Sequence, residues 1–122
     1  MKVSEIMSKT LCIVEPEATV GEAATLMGGR SVGSVLVCEG DHLVGILTER
    51  DIVRALSSTH DAPGRPVVEW MTKDPHTIDP ETEVRTALRA MVDAGFRHLP
   101  VVDGDRVVGM VSIRDVAGSM AD

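Results

Sequence analysis

The segment GILTERD, residues 45–51, is the most informative part of this chain, because it returns as GMVSIRD at residues 109–115. Each copy contains a glycine, two apolar residues, a hydroxyl residue and, three positions after the hydroxyl, an aspartate. The copies start 64 positions apart, at Gly45 and at Gly109. We therefore interpret the chain as two copies of one structural unit.

The repeat extends well beyond this segment. Shifting the sequence by the same 64 positions aligns the chain with itself without a gap. The identical pairs include Val3/Val67, Glu5/Glu69, Met7/Met71, Pro16/Pro80, Val20/Val84, Met27/Met91 and Val37/Val101. We predict a first repeat at residues 1–57, a linker at 58–66, where turn-forming residues are concentrated, and a second repeat at 67–122.

Composition limits the classes of function that the chain can have. Its 122 residues carry a formal net charge of −7 and only 2 % aromatic residues. Nonspecific binding to nucleic acid or to an anionic membrane requires a positive field, and single-strand binding requires stacking aromatic rings. We therefore expect neither nucleic acid nor a membrane as a partner.

Size and cysteine content favour one compact cytoplasmic protein. A unit of about 60 residues buries little surface alone, so the two repeats are expected to pack together. Cys12 and Cys38 are interpreted as buried free thiols rather than as a disulfide scaffold. The N terminus lacks an apolar signal region, and no apolar run approaches the ~20 residues that span a bilayer.

Hydrophobic periodicity predicts the order β-α-β-β-α in each repeat. The predicted elements of the first repeat are a strand at 11–14, a helix that begins after Thr19 and ends at Gly28-Gly29, strands at 34–38 and 43–47, and a helix at 49–57. Those of the second repeat are a strand near 77–78, a helix at 83–94, strands at 99–102 and 107–111, and a helix at 113–120.

The repeated hydroxyl and aspartate allow two interpretations. Thr48 with Asp51, and Ser112 with Asp115, have the spacing of a capping box that stabilises the start of a helix. The glycine that opens each copy would then permit a close approach of backbone. In the other interpretation, the aspartate binds a vicinal diol at the positively polarised helix N terminus, and the glycine leaves room for a ring or a sugar.

Several motifs together give a more specific resemblance. They are the segments IMS at 6–8, WMT at 70–72 and FRHLPVVD at 96–103, with the duplication and the repeated glycine-hydroxyl-aspartate segment. From about residue 3 to residue 120, the chain resembles a tandem pair of cystathionine-β-synthase (CBS) domains, often called a Bateman module. The resemblance implies an α/β (α+β) fold of two β-α-β-β-α CBS repeats, related by pseudo-two-fold symmetry and packed sheet to sheet.

The resemblance also implies ligands and sites. Members of this family sense adenosine-containing ligands such as AMP, ADP, ATP, NAD or S-adenosylmethionine in the cleft between repeats, where the hydroxyl and aspartate hold the ribose. No cofactor is required. The first implied site comprises Thr48, Asp51, Thr72, His76, Phe96, Arg97, His98 and Pro100. The second comprises Ser112, Asp115, Ser8, Cys12, Val32, Gly33, Ser34 and Leu36.

The two implied sites differ in charge. The first contains Arg97 and His98, which can meet a phosphate with charge-assisted hydrogen bonds. The second has Gly33 and Ser34 at the equivalent positions. We therefore predict that a phosphorylated ligand prefers the site that contains Asp51.

Two kinds of function stay open at this point. No catalytic or metal-ligand motif can be assembled from the sequence, so we expect no enzyme but a regulatory module that senses a ligand and acts on an unidentified protein. The alternative is a ligand-free dimerisation or protein-interaction module. Both include a homodimer, since the helix after each aspartate has an apolar face of the kind that pairs in this family. An alternative role for these faces is packing within the chain. Their residues are Ile52, Val53, Leu56, Val116 and Met120.

Overall fold

The computed structural model describes residues 1–120 and has a mixed α+β architecture. In chain order, the elements are β1 (Ile13–Val14), α1 (Val20–Arg30), β2 (Ser34–Glu39), β3 (His42–Thr48), α2 (Glu49–Ser58), β4 (Thr72–Lys73), α3 (Val84–Ala94), β5 (His98–Asp103), β6 (Arg106–Ser112) and α4 (Ile113–Met120). Short 3-10 turns cover Val3–Glu5, Ala62–Gly64 and Val67–Glu69. Within residues 1–120, every helix is too short or too polar to cross a membrane.

The chain divides into two compact units that do not follow the order of the sequence. One consists of Cys12–Pro75 and is called here the continuous unit. The other combines Met1–Leu11 with the chain from His76 onward and is called the discontinuous unit. The N-terminal segment of each repeat therefore packs with the body of the other repeat.

The continuous unit has a four-stranded sheet in the order β1-β2-β3-β4. β1 runs parallel to β2, whereas β3 runs antiparallel to both of its neighbours, β2 and β4. One face of α1 packs on this sheet together with the turn that contains Val67, whose N–H donates to the carbonyl of Ala18 at 2.7 Å. The buried core residues are Cys12, Val20, Ala23, Met27, Val35, Val37, Leu47 and Val67.

The discontinuous unit is built on the same plan around the β5–β6 hairpin. A parallel bridge between Ile78 and Val101, and an antiparallel bridge between Ser8 and Met110, take the places that β1 and β4 have in the continuous unit. The N–H of Val3 donates to the carbonyl of Thr82 at 2.8 Å. The buried core residues are Val3, Val84, Ala87, Met91, Leu99, Val101, Val111 and Val116.

The duplication extends to fine backbone detail. β2 is irregular between Val37 and Cys38, and β5 is irregular at the equivalent place, between Val101 and Val102. Both hairpins turn through a glycine with positive φ, which is +60° at Gly40 and +65° at Gly104. A side chain at either glycine would be strained, since L residues rarely adopt this conformation.

The helix α1 extends beyond its predicted end at Gly28-Gly29. Gly28 and Gly29 lie inside the helix, which continues to Arg30 and closes at Ser31, a residue in the left-handed conformation with φ 53°. The N–H of Ser31 donates to the carbonyls of Gly28 and Met27. A serine therefore occupies the left-handed capping position that glycine usually fills. A glycine pair can remain helical at a modest cost when the helix packs on a sheet, as α1 does.

Two strand predictions also need correction. The strand expected near 77–78 is reduced to the single bridge made by Ile78. Thr72–Lys73 forms the edge strand β4, which was not predicted because two exposed polar residues carry no hydrophobic pattern. The region predicted as linker contains a buried residue, Ala62, within its 3-10 turn.

Both cysteines are free and buried, as the sequence predicts. Burial in β2 raises the pKa of the Cys38 thiol above its usual value, and the nearby Asp41 carboxylate acts in the same direction. Cys38 is therefore a poor nucleophile in the folded chain, consistent with a structural role.

Candidate functional site

The segment at residues 45–51 carries the chain from β3 into α2, and the capping interpretation of its end is confirmed. Thr48 is the N-cap residue in extended conformation, and its hydroxyl accepts from the N–H of Asp51 at 3.3 Å. Asp51 Oδ2 accepts in return from the N–H of Thr48 at 2.9 Å and from its hydroxyl at 3.1 Å. These reciprocal bonds fix the carboxylate at the helix N terminus.

The other carboxylate oxygen of Asp51 is engaged by an arginine. Nη2 of Arg54 donates to Asp51 Oδ1 at 3.2 Å and to the backbone carbonyl of Trp70 at 2.9 Å. The Arg54 guanidinium carbon also lies 5.8 Å from the centre of the Trp70 ring, within the range of a cation–π contact. Asp51 is only 7 % exposed, so this carboxylate is enclosed by its cap and its ion pair.

The second copy of the segment has the same cap. Asp115 Oδ2 accepts from the N–H of Ser112 at 2.9 Å, and the N–H of Asp115 donates to the Ser112 hydroxyl at 3.0 Å. The position equivalent to Arg54 is Gly118, and the position equivalent to Trp70 is Ile6. The arginine clamp of the first copy therefore has no counterpart in the sequence of the second.

The glycine at the start of each copy is required by close packing. A Cβ built on Gly45 would lie 2.5 Å from Sδ of Met71 and 2.9 Å from the carbonyl oxygen of Thr72. A Cβ on Gly109 would lie 2.4 Å from Sδ of Met7. The predicted close approach is confirmed. The expectation that the glycine leaves room for a ring or a sugar is wrong in the direction in which its Cβ would point, since Met71 fills that space at Gly45 and Met7 fills it at Gly109.

Residues of the first implied site lie in both units. In the continuous unit, Thr72 is exposed on β4 and pairs with Ile46, two residues before the Thr48 cap. In the discontinuous unit, the rings of His76 and Phe96 are 5.8 Å apart and tilted by 34°.

The other three residues of the first implied site follow Phe96 in the discontinuous unit. His98 pairs with Ser112 in the β5–β6 register, and the carbonyl of Arg97 accepts from the N–H of Ile113 at 2.9 Å. Pro100 is buried, and its carbonyl accepts from the N–H of Ile78 at 3.0 Å. Arg97 and His98 therefore lie at the start of α4, beside the Ser112 cap.

Residues of the second implied site show the matching arrangement in the continuous unit. Ser34 is 6 % exposed and pairs with Thr48, and the carbonyl of Gly33 accepts from the N–H of Glu49 at 3.1 Å. In the same unit, Leu36 N–H donates to Cys12 O at 2.8 Å and Val32 N–H donates to Met27 O at 3.0 Å, whereas Ser8 lies in the discontinuous unit, where it forms a bridge with Met110.

Each unit therefore brings one capping pair together with strand residues that were assigned to the other site. Thr48 and Asp51 neighbour Ser34 within the continuous unit, and Ser112 neighbours His98 within the discontinuous unit. The assignment of each set of residues to one ligand combines residues of both units, and it stays a prediction.

Sequence reasoning missed one component of the site, Arg54. It follows Asp51 by three positions, a spacing that places two helical side chains on one face and could have indicated the ion pair. Its second contact, the Trp70 carbonyl, is 16 positions away and carries no such signal. Within residues 1–120, no group of three His, Cys, Asp or Glu residues is arranged to hold a metal ion.

Known proteins share this architecture. The family model for the CBS domain matches residues 3–58 and 67–122. An uncharacterised 17.7 kDa protein of Acidianus ambivalens is 42 % identical over 123 residues, which cover 99 % of this chain and 74 % of that protein.

Solved structures agree with this match. A CBS-domain protein of Agrobacterium tumefaciens superimposes with a TM-score of 0.94 at 27 % identity, covering 99 % of this chain and 100 % of the other. The CBS domain pair of protein MJ0100, in complex with 5′-methylthioadenosine and S-adenosyl-L-methionine, gives 0.89 at 27 % identity, with coverage of 98 % and 94 %. From the two matched segments and the duplicated fold, this chain belongs to the CBS domain family and carries two copies of the domain.

Proposed function

We propose that this chain is a cytoplasmic regulatory module, without catalytic activity, that binds an adenosine-containing ligand. The observation that carries the proposal is the duplicated cap, in which Asp51 and Asp115 each hold a carboxylate at the start of a helix. A carboxylate in that position can accept two hydrogen bonds from the vicinal diol of a ribose. The binding of methylthioadenosine and S-adenosylmethionine by the CBS pair of MJ0100 supports this ligand class.

The two residue sets predicted from the sequence are retained as the proposed ligand sites. AMP, ADP, ATP, NAD and S-adenosylmethionine are the candidate ligands. Arg97 and His98 supply cationic or hydrogen-bonding groups for a phosphate in the set that contains Asp51, and we propose that phosphorylated ligands prefer that set. Binding would then change the conformation that a regulated protein recognises, by the difference in ligand affinity between the two states.

A thermal-shift screen tests the proposed ligand class. At 100 times its dissociation constant, a ligand stabilises the folded chain by about 2.7 kcal/mol, which corresponds to a rise in Tm of roughly 10 °C for a domain near this size. We expect this rise for one of the five candidate ligands. The matched 2′-deoxynucleotide, which lacks the vicinal diol, should give a much smaller one. An unchanged Tm with all five ligands would contradict the proposal.

The second candidate function is a ligand-free dimerisation or protein-interaction module, and the exposed face of α2 favours the homodimer that both candidates include. Val53 is 65 % exposed and Leu56 is 51 % exposed, and Met120 at the end of α4 is 48 % exposed. The predicted apolar faces are nevertheless smaller than expected, because Val116 is fully buried in its own unit and Ile52 packs against the core of the continuous unit. Val53 and Leu56 are therefore the proposed centre of a dimer contact.

Light scattering tests this contact directly. We expect the chain to have a mass of twice 13.0 kDa at micromolar concentration, and a Leu56→Lys variant to be monomeric, since a buried unpaired ammonium opposes association. Val92→Lys is the matched control, because Val92 is 67 % exposed on α3 and lies outside the proposed contact. A parent chain that is monomeric at all concentrations, or a dimeric Leu56→Lys variant, would contradict the assignment.

A further inference from the structure

The two carboxylates proposed to bind a diol differ most in the contact made by one oxygen. Arg54 donates to Oδ1 of Asp51, the oxygen that the capping box leaves open, whereas Gly118 stands at the equivalent position in α4 and has no side chain. The backbone bonds of the two caps are alike, with Thr48 N–H and Ser112 N–H each 2.9 Å from the accepting carboxylate oxygen, and at Asp51 the Thr48 hydroxyl also donates to Oδ2 at 3.1 Å. Arg54 is therefore a local feature that can make the diol affinities of the two aspartates differ.

Arg54 is held in its position by more than the carboxylate. The same Nη2 donates to the Trp70 carbonyl at 2.9 Å, and the guanidinium lies over the Trp70 ring. These contacts reduce the number of conformations that the side chain samples, so the ion pair with Asp51 persists although the Arg54 side chain is 58 % exposed.

A ribose diol and Arg54 require the same acceptor. A diol binds most strongly when each of its hydroxyls donates to one carboxylate oxygen, and the ion pair already occupies Oδ1 of Asp51. A ligand must displace the guanidinium from this oxygen or share the oxygen with it, and either event reduces the net gain from binding. At Asp115 the glycine imposes no such competition.

We infer that Arg54 determines the relative affinity of the two ribose positions, by competing with the diol for Asp51 and leaving Asp115 as the stronger acceptor. This inference rests on the proposed function. It concerns the ribose alone and is separate from the phosphate preference proposed above. Adenosine, which has the diol and no phosphate, is therefore the suitable probe.

The first test removes the competitor in a chain with only one ribose aspartate. In an Asp115→Ala background, Arg54→Ala is expected to tighten adenosine binding at Asp51 by about threefold to tenfold, measured by isothermal titration calorimetry. The matched control is Arg50→Ala in the same background, which removes the same charge from the same helix and should leave the affinity within about twofold. The gain should shrink at high salt, because the ion pair is partly exposed.

The second test transfers the competitor to the other copy. In an Asp51→Ala background, Gly118→Arg is expected to weaken adenosine binding at Asp115 by a similar factor, whereas Gly118→Ala should leave it unchanged. The position can accept a side chain, since a Cβ on Gly118 would meet no heavy atom of the described residues within 4 Å. Gly118→Ala also controls for the higher helix propensity of both replacements.

Whether Arg54→Ala strengthens or weakens adenosine binding distinguishes competition for Asp51 from a purely structural role of Arg54. If Arg54 only stabilised the unit through Trp70, Arg54→Ala would weaken adenosine binding or leave it unchanged, and either result would overturn the inference. A parent chain that binds adenosine, with no gain on Arg54→Ala, contradicts this inference alone. A parent chain that binds no adenosine contradicts the proposed function and the inference with it.

Discussion

Alanine at both Asp51 and Asp115 is expected to abolish measurable binding of the ligand that the thermal-shift screen selects. Each replacement removes a carboxylate that would accept charge-assisted hydrogen bonds from the ribose, worth about 1.5–3 kcal/mol each, or roughly 10- to 100-fold in affinity. Each single variant should lose ligand binding at only one of the two proposed sites, the site that contained the replaced aspartate. Isothermal titration calorimetry of the parent, both single variants and the double variant measures the affinity and the number of sites.

The control for this experiment is another capping box in the same chain, outside the proposed ligand sites. At the start of α1, Glu22 accepts from Thr19, and the N–H of Glu22 donates to the Thr19 hydroxyl at 3.0 Å, as in the two site caps. Glu22→Ala should lower the free energy of unfolding by about 1 kcal/mol, as loss of a cap does, without changing ligand affinity. Ligand binding by the double variant at parental affinity would show that the aspartates only cap their helices.

Aspartate in place of Val3 is expected to lower the free energy of unfolding by about 4 kcal/mol or more. Val3 is completely buried in the core of the discontinuous unit, where its neighbours are apolar. The new carboxyl group would lose its hydration without an ion-pair partner in that cluster. Since a domain of this size has a total stability of only about 5–15 kcal/mol, this loss is a large share of it, and the variant should unfold at a much lower temperature than the parent chain. Thermal unfolding followed by far-UV circular dichroism measures the effect.

Val92→Asp is the matched control for this prediction. It makes the same chemical change in the same unit, at a side chain that is 67 % exposed on α3. We expect a loss of about 1 kcal/mol or less, because surface substitutions rarely cost more. The unfavourable interaction of the new carboxylate with the C-terminal end of α3 contributes to this small loss. Equal losses of stability from the two variants would show that Val3 does not belong to the core.

Most of the secondary structure could be predicted because its signals are local. The strand pairs at residues 34–39 with 42–48, and at 98–103 with 106–112, are marked by apolar runs around a short turn with glycine. The helices that follow Thr48 and Ser112 are marked by the hydroxyl and the acid three positions later. Because the same signals occur again 64 positions later, each of these predictions is based on two copies of the pattern.

The errors occurred where tertiary packing outweighs local propensity. The Gly28-Gly29 pair is a strong local stop signal, yet α1 continues through it because the helix is held by its packed face, including Met27. The edge strand β4 forms only because Thr72 meets Ile46, a pairing that its own polar sequence does not indicate. The contact of Arg54 with the Trp70 carbonyl has the same non-local origin.

The exchange of N-terminal segments could not be predicted for a related reason. The periodicity of residues 1–11 is the same whether they pack with the first or the second repeat, because the repeats share their core positions. The choice is made by contacts such as the hydrogen bond from Val3 to Thr82. The sequence alone therefore predicts two units and leaves the membership of each short segment open.

The discontinuous unit also imposes an order on folding during synthesis. A ribosome makes Met1–Leu11 before the residues that bury this segment, which begin at His76, after the 64 residues of Cys12–Pro75. At roughly 5–20 residues per second, the nascent chain spends about 3–13 s with the Val3 side chain without its partners. The continuous unit is complete in the nascent chain when His76 is added, so it can fold before the discontinuous unit does. Within the discontinuous unit, the segment that is made first is thus buried last, and for those seconds it is available to chaperones and proteases.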